Sequence, residues 1–527
     1  MKKASDIEDI GDRENDGRGQ SRRTFLKTGA GAVAGLMTPL GAPRVAAQSL
    51  PAGKKDPRPN FLFLVGEGVR HDELSFAANP FVKMPTINRQ FPASDWLNSR
   101  AGNPIIQTPN LDRLGYEGIN FRNTFVINAL CSPSRATILT GLYSHTTGCI
   151  DNRNRHIPPN IPIFTDLLHN AGYETACFGK AHIRNALTDR YWDSYFGFDG
   201  AATNYYHPRI IEGSAGKFGE PQIYHGYVDD LVTDRAVSWL SQTRERPFFC
   251  LFMFQAPHAP FYRSRRNLDL YNGVPIPKPV TFDDDLKGYP GKPRAFADAD
   301  NKIGTTILGN DDPRSLEEMV KDHYAGVVNN DQNFHSMIEA LEKTGHLDDT
   351  VILYTADHGF FLGEWRFYDK RFMHEPSIRV PLLIRYPKLI QSGSVVDKMA
   401  LNLDLAPTVL DLAGVQIPKP MQGSSLVPFL KGSLPAAWRE DWLYEYYEYP
   451  GNQQVKPNRG VRTDRYKLIH YYLPPQEFEL YDLQNDPGEL YNLYGNSRYA
   501  DLFRQLMNRL QELRKKTGDT GSGQNSG

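Results

Sequence analysis

Four short apolar runs, each closed by turn residues, organise the first two thirds of the chain. They cover residues 60–65, 173–178, 248–254 and 351–355 and are rich in Phe, Val, Ile and Leu. Runs this short and this apolar predict buried strands. Residues 161–171 and 324–344 carry helical spacing and stop at Gly172 and Gly345, where helices commonly end. Strands alternating with helices predict an α/β domain around a largely parallel sheet. The pattern then changes. Residues 442–447, 460–463, 466–470 and 478–481 read as strands separated by turns, and 497–515 as an amphipathic helix. That succession predicts a small C-terminal α+β domain with an antiparallel sheet. The Gly/Ser-rich tail from Thr517 is expected to be disordered.

The polar residues after each of the four runs carry the chemistry. Gly66-Glu67 follows the first and Gly179-Lys180-Ala181-His182 the second. Gln255-Ala256-Pro257-His258 ends the third, and Ala356-Asp357-His358-Gly359 the fourth. Open α/β sheets bind ligands beyond the carboxyl ends of their strands. The topology therefore delivers carboxylates, imidazoles and a lysine to one rim, a set suited to hydrolysis of an anionic ester at an acidic metal site.

Cys131-Ser132-Pro133-Ser134-Arg135 adds a helix start to that rim. Pro133 suits a first helical position, Ser132 a cap and Gly141 the end. A group at position 131 then meets free backbone N–H groups and the positive end of the helix dipole, with Arg135 one turn on. Alone, such a cysteine reads either as a small buried apolar residue or as a thiolate nucleophile.

Composition narrows the field. The chain has 527 residues, 40% of them hydrophobic, enough for a large core and more than one domain. A net charge of -1 supplies no global field for nucleic acid or membranes, and no apolar run reaches spanning length. Ser21-Arg22-Arg23-Thr24-Phe25-Leu26-Lys27, a weakly apolar stretch and Val45-Ala46-Ala47 resemble a twin-arginine signal with its cleavage site. The mature chain is then expected to begin near Gln48, exported folded to the periplasm or medium. If Cys131 is consumed, Cys149, Cys177 and Cys250 leave room for at most one disulfide. Cys177 and Cys250, inside apolar runs, read as packed core thiols.

Cys131 to Arg135, continued by Ala-Thr-Ile-Leu-Thr-Gly141, resembles the signature of the formylglycine-dependent sulfatases, a branch of the alkaline phosphatase superfamily. The resemblance runs from Pro59 to about Tyr494. It includes Gly179-Lys180-Ala181-His182, Ala256-Pro257-His258-Ala259-Pro260 and Asp357-His358-Gly359. It continues through Lys370, the segment from Met373 to Leu382, Met421-Gln422-Gly423 and Gly460-Val461-Arg462-Thr463. It implies a large mixed, mostly parallel sheet between helices, with a second, antiparallel domain packed on it. The corresponding divisions are a signal peptide (1–47), a catalytic domain (48–435), a C-terminal subdomain (436–516) and a tail (517–527).

The resemblance also implies roles. Cys131 would be oxidised to formylglycine by a formylglycine-generating enzyme. Its hydrate would attack sulfate, with Arg135 favouring the deprotonated form and Lys180 and Lys370 holding sulfate oxygens. His182 would take a proton, and His258 would protonate the leaving alcohol, with Lys370 as the alternative. Glu67, Asp357, His358 and position 131 would hold a divalent metal, Ca²⁺ first and Mg²⁺ second. One departure stands out: the family usually has two adjacent aspartates where this chain has Glu67 and Gly68. Glu67 reaches about 1.5 Å further from the backbone and Gly68 offers no side chain, so Asp72 or water would have to substitute.

The substrate class this implies is a sulfated carbohydrate. Rivals are a phosphate or phosphonate ester hydrolase of the same superfamily, and a catalytically impaired glycan-binding relative. The Tyr262-Arg263-Ser264-Arg265-Arg266 cluster reads equally as a polyanion contact or a solvated loop. The aromatic 442–449 segment reads as core before sugar platform.

Overall fold

The computed structural model describes residues 56–75, 105–184, 187–283, 291–304, 315–451 and 453–521. The twin-arginine segment and the end of the tail lie outside them. The four apolar runs form strands β1 (Asn60–Gly66), β2 (Glu174–Lys180), β3 (Phe248–Met253) and β4 (Thr350–Ala356). They lie side by side in the order β4-β1-β3-β2, all parallel, within a sheet of eleven strands among the described residues. Leu382–Arg385 continues the sheet antiparallel beside β4, which makes it mixed. Registers such as Gly66 opposite Ala356 and Gly179 opposite Met253 bring the four carboxyl ends to one edge.

Strand periodicity divides the core between two faces. Phe61, Phe63 and Val65 pack with Leu139, Phe164 and Leu410 on one side, while Leu62 and Leu64 pack with Trp239, Met337 and Leu341 on the other. Both faces are thus covered by helices, as a parallel sheet requires. The helix expected at 324–344 begins earlier, as Leu316–Lys343, because Ser315 and Glu318 close a capping box.

Strands Asp441–Tyr446, Asn458–Thr463, Tyr466–Tyr471 and Glu477–Asp482 form the expected antiparallel sheet, followed by helix Ala500–Thr517. This sheet shares a core with the region around position 131: Trp442 stacks on Phe125, ring centroids 5.4 Å apart. Trp442, Tyr444 and Tyr446 are buried, so the 442–449 aromatics serve packing. The tail begins later than expected, since Thr517 is helical and Asp519 pairs with Arg514. All four cysteines are buried and free. No helix among the described residues is long and apolar enough to cross a membrane.

Candidate active site

Helix Cys131–Thr140 starts two residues earlier than its sequence suggests. Cys131 is itself the first helical residue, and Leu130 occupies the cap position. Ser132 does not cap; its hydroxyl donates to the His182 carbonyl at 2.6 Å and ties the helix to the loop after β2. Lys180, expected beyond its strand, is the last residue of β2. Gly179 precedes it at φ +99, where a Cβ would lie 2.0 Å from the Met253 carbonyl oxygen, so only glycine lets β2 and β3 approach.

Glu67 sits at the centre. Its Oε2 accepts from Arg135 Nη2 at 2.8 Å and from Lys180 Nζ at 2.7 Å. Its Oε1 lies 3.5 Å from Cys131 Sγ, 3.4 Å from His358 Nε2, 3.9 Å from Lys370 Nζ and 4.0 Å from His258 Nε2. Arg135 Nε donates to Asp357 Oδ2 at 2.9 Å, so one guanidinium spans both carboxylates. Cys131 Sγ is 3.4 Å from His358 Nε2. All the residues singled out from the sequence converge here except Asp72, which is held by Arg70 at 2.8 Å and supplies nothing to the cluster.

The charges explain the proton affinities. Burial opposes ionisation of Glu67, but Lys180, His358, His258 and Arg135 outweigh it and hold the carboxyl well below its usual range. Burial and then the Glu67 charge push Asp357 up to about 6. Burial works against a charge on His358, yet Asp357 and the neighbouring thiolate prevail and raise it to about 9. At Cys131, burial and Glu67 oppose a thiolate, while Lys370, Lys180 and His358 overcome them and hold the thiol well below its ordinary range. Burial lowers His182 to about 4, with the neighbouring Cys131 pulling the other way. His258 is lowered as well, by burial and then by Lys180.

Several supporting residues escaped the sequence reading. Asp369 Oδ1 holds Lys370 Nζ at 3.0 Å, and Asp369 also pairs with Arg371. Tyr444 donates to the Arg371 carbonyl at 2.9 Å and accepts from the Ala129 N–H at 3.3 Å, so the C-terminal sheet braces both sides of the site. Asn152 accepts from the Ser132 N–H through Oδ1, and its own N–H donates to Glu448. A lysine flanked by Asp369 and Arg371 was the one available signal; the others lie far apart in sequence. The 262–266 cluster is neither a free polyanion contact nor a fully solvated loop. Arg263 pairs with Asp322 at 2.6 Å and Arg266 with Asp230 at 2.8 Å.

The donor set accepts a cation. One ligand atom each from Glu67, Cys131, Asp357 and His358 lie within 4.8 Å of one another. Separations of 3.4–3.5 Å from His358 Nε2 to its three neighbours suit donors that share one cation, since an edge of about 3.4 Å belongs both to four ligands at about 2.1 Å and to six at about 2.4 Å.

A family model described as Sulfatase matches residues 59–415, and one described as N-sulphoglucosamine sulphohydrolase, C-terminal, matches residues 363–516. The chain belongs to the sulfatase family. Among relatives of this sulfatase, an N-acetylglucosamine-6-O-sulfatase of Bacteroides thetaiotaomicron is 34% identical and aligns over 92% of this chain and 91% of its own length. An N-acetylglucosamine-6-sulfatase of Bos taurus is 28% identical over 79% of this chain and 81% of its own. A protein solved in complex with its substrate D-glucosamine-2-N,6-O-disulfate superposes with a TM-score of 0.77 at 33% identity, covering 89% of this chain and all of that one. The mixed sheet with an antiparallel C-terminal domain is the sulfatase fold of the alkaline phosphatase superfamily, and the protein is a sulfuric ester hydrolase.

Proposed function

We propose that this sulfatase hydrolyses sulfate esters of sulfated carbohydrates, with 6-O-sulfated glucosamine units as the substrate of first choice. The observation that carries the reading is the convergence of Arg135, Lys180, Lys370, His258 and His182 around Cys131 at a buried helix start. The names of the two relatives, and the D-glucosamine-2-N,6-O-disulfate held as substrate by the solved neighbour, support the sugar.

Cys131 would be converted to formylglycine by a formylglycine-generating enzyme, and the hydrated aldehyde supplies an oxygen nucleophile. Glu67, Asp357, His358 and the position-131 oxygen would hold a divalent cation, whose chemistry is to favour the deprotonated nucleophile. Lys180 and Lys370 bind sulfate oxygens and offset charge that develops during transfer. Buried and neutral, His182 accepts a proton from the group at 131. His258 has the more open side chain, 15% exposed, and its Nδ1 is engaged by the Ala259 carbonyl, leaving Nε2 for the leaving alcohol. An arriving sulfate raises its proton affinity and lets it act as the acid. Export through the twin-arginine machinery, after conversion of Cys131 and with residues 1–47 removed, would place the enzyme in the periplasm or medium. Residues 48–435 and 436–516 would then be its catalytic domain and C-terminal subdomain.

Sulfate release from N-acetylglucosamine 6-sulfate, other positional isomers and matched phosphate esters tests the proposal. Release from the 6-sulfate at a kcat/KM at least about tenfold above the phosphate ester is expected. Preference for phosphate would select the ester-hydrolase rival, and binding without release the glycan-binding one.

A further inference from the structure

We infer that this sulfatase's metal site selects a compact, nitrogen-accepting cation of the Zn²⁺ class over Ca²⁺. The inference rests on the functional reading above for the identity of the group at position 131, and on geometry for the rest.

Each carboxylate has one oxygen to give. Glu67 Oε2 is occupied by Arg135 and Lys180, and Asp357 Oδ2 by Arg135. What remains to face the cluster is Glu67 Oε1 and Asp357 Oδ1, and the latter already accepts from the Gly68 N–H at 3.1 Å. Bidentate coordination, by which Ca²⁺ commonly gathers its 6–8 oxygens, is thereby closed at Glu67, whose Oε2 carries two donors, and opposed at Asp357, whose Oδ2 lies against the Arg135 guanidinium.

No second aspartate can be added cheaply beside them. Gly68 has φ +63, and a Cβ there would lie 3.3 Å from Phe360 Cδ2 and 3.4 Å from His358 Cε1. The space into which a neighbouring carboxylate would extend is filled by those two rings. The third donor is a nitrogen. His358 Nδ1 lies 2.8 Å from the Gly359 carbonyl oxygen, and a proton held there leaves Nε2 as the ligand atom. Two single oxygens, one imidazole nitrogen and the position-131 oxygen make a four-donor set. Such a set completes a tetrahedral Zn²⁺ site, whereas Ca²⁺ would have to draw two or more further ligands from solvent.

The test measures binding directly. Metal-free protein carrying formylglycine, checked by mass, is titrated with Zn²⁺, Mn²⁺, Mg²⁺ and Ca²⁺ by calorimetry, and its bound metal is counted after dialysis. The same titrations on Cys131→Ser replace the thiolate, which by itself draws zinc, with an oxygen. A His207→Ala/His225→Ala background removes a surface pair whose Nδ1 atoms lie 3.0 Å apart and which would add an unrelated zinc. Expected are one Zn²⁺ per chain and Ca²⁺ that fails to saturate below about 1 mM. His358→Asn, which removes a ligand itself, should weaken Zn²⁺ by at least about 10-fold, the least that follows from losing a residue that only supports a ligand. Saturation by Ca²⁺ at micromolar concentration, zinc binding indifferent to His358, or no binding of any of the four ions overturns the inference. Because no substrate is present, those outcomes leave the sulfatase reading to the separate sulfate-release assay.

Discussion

Arg135 and Glu67 form an ion pair at 2.8 Å with both side chains 1% exposed, and the same guanidinium also holds Asp357. A buried charge deprived of its partner costs far more than the pair contributes. Arg135→Ala strands two carboxylates beside a thiol and is expected to destabilise the protein by about 3–5 kcal/mol. Arg135→Lys restores the charge but cannot span both oxygens, and should recover only part of the loss. Urea denaturation of the three proteins measures this; equal midpoints would show that Lys180 alone carries the compensation.

Cys131 is buried at the helix start yet belongs to none of the apolar clusters that form the core, so its removal separates chemistry from folding. Cys131→Ala should cut sulfate release by at least about 10³-fold while its thermal midpoint stays within a few degrees of the parent. Activity close to the parent would end the formylglycine mechanism.

The parts of this site that follow sheet periodicity were legible in the sequence. Glu67, Lys180, His258 and Asp357 lie at or just beyond the ends of parallel strands, and apolar runs mark those ends. The Cys131 helix was legible through its proline and glycine, but its first residue was misplaced. The deciding contact, Ser132 to the His182 carbonyl, joins segments 50 residues apart. Asp72 looked available until Arg70 claimed it. Tyr444, Asn152 and Glu448 act through tertiary contacts with no local pattern. The antiparallel sheet was expected as a second domain, whereas the role of Tyr444 as a brace for Lys370 and Cys131 depends on a shared core that composition does not show.

His182 ties stability to acidity. Its ordinary proton affinity of about 6.5 applies to the unfolded chain, and burial lowers it to about 4 in the fold. Between those values the unfolded state binds more protons, so the contribution is complete above about pH 6.5 and fades as pH falls toward 4. About 2.5 pH units correspond to about 3 kcal/mol. The stability difference between the parent and His182→Gln should therefore shift by that amount between about pH 7.5 and pH 4. A difference independent of pH would place the ring in contact with water.

Tyr444 offers the clearest case of a residue that acts on the site without touching it. Its hydroxyl bridges the Arg371 carbonyl and the Ala129 N–H, next to Lys370 on one side and two residues before Cys131 on the other. Tyr444→Phe keeps the ring and leaves both buried backbone groups unpaired, at a cost of about 1–3 kcal/mol. Small displacements of a lysine and a nucleophile are costly to rate, so kcat should fall about tenfold or more with KM changed less. Tyr447 is the control: its hydroxyl donates to Glu445 at 2.9 Å and bridges nothing at the site. Tyr447→Phe is expected to keep kcat within about twofold of the parent. Equal kcat losses in the two variants would reduce Tyr444 to a packing residue, whereas a loss confined to Tyr444→Phe makes the C-terminal sheet part of the catalytic frame.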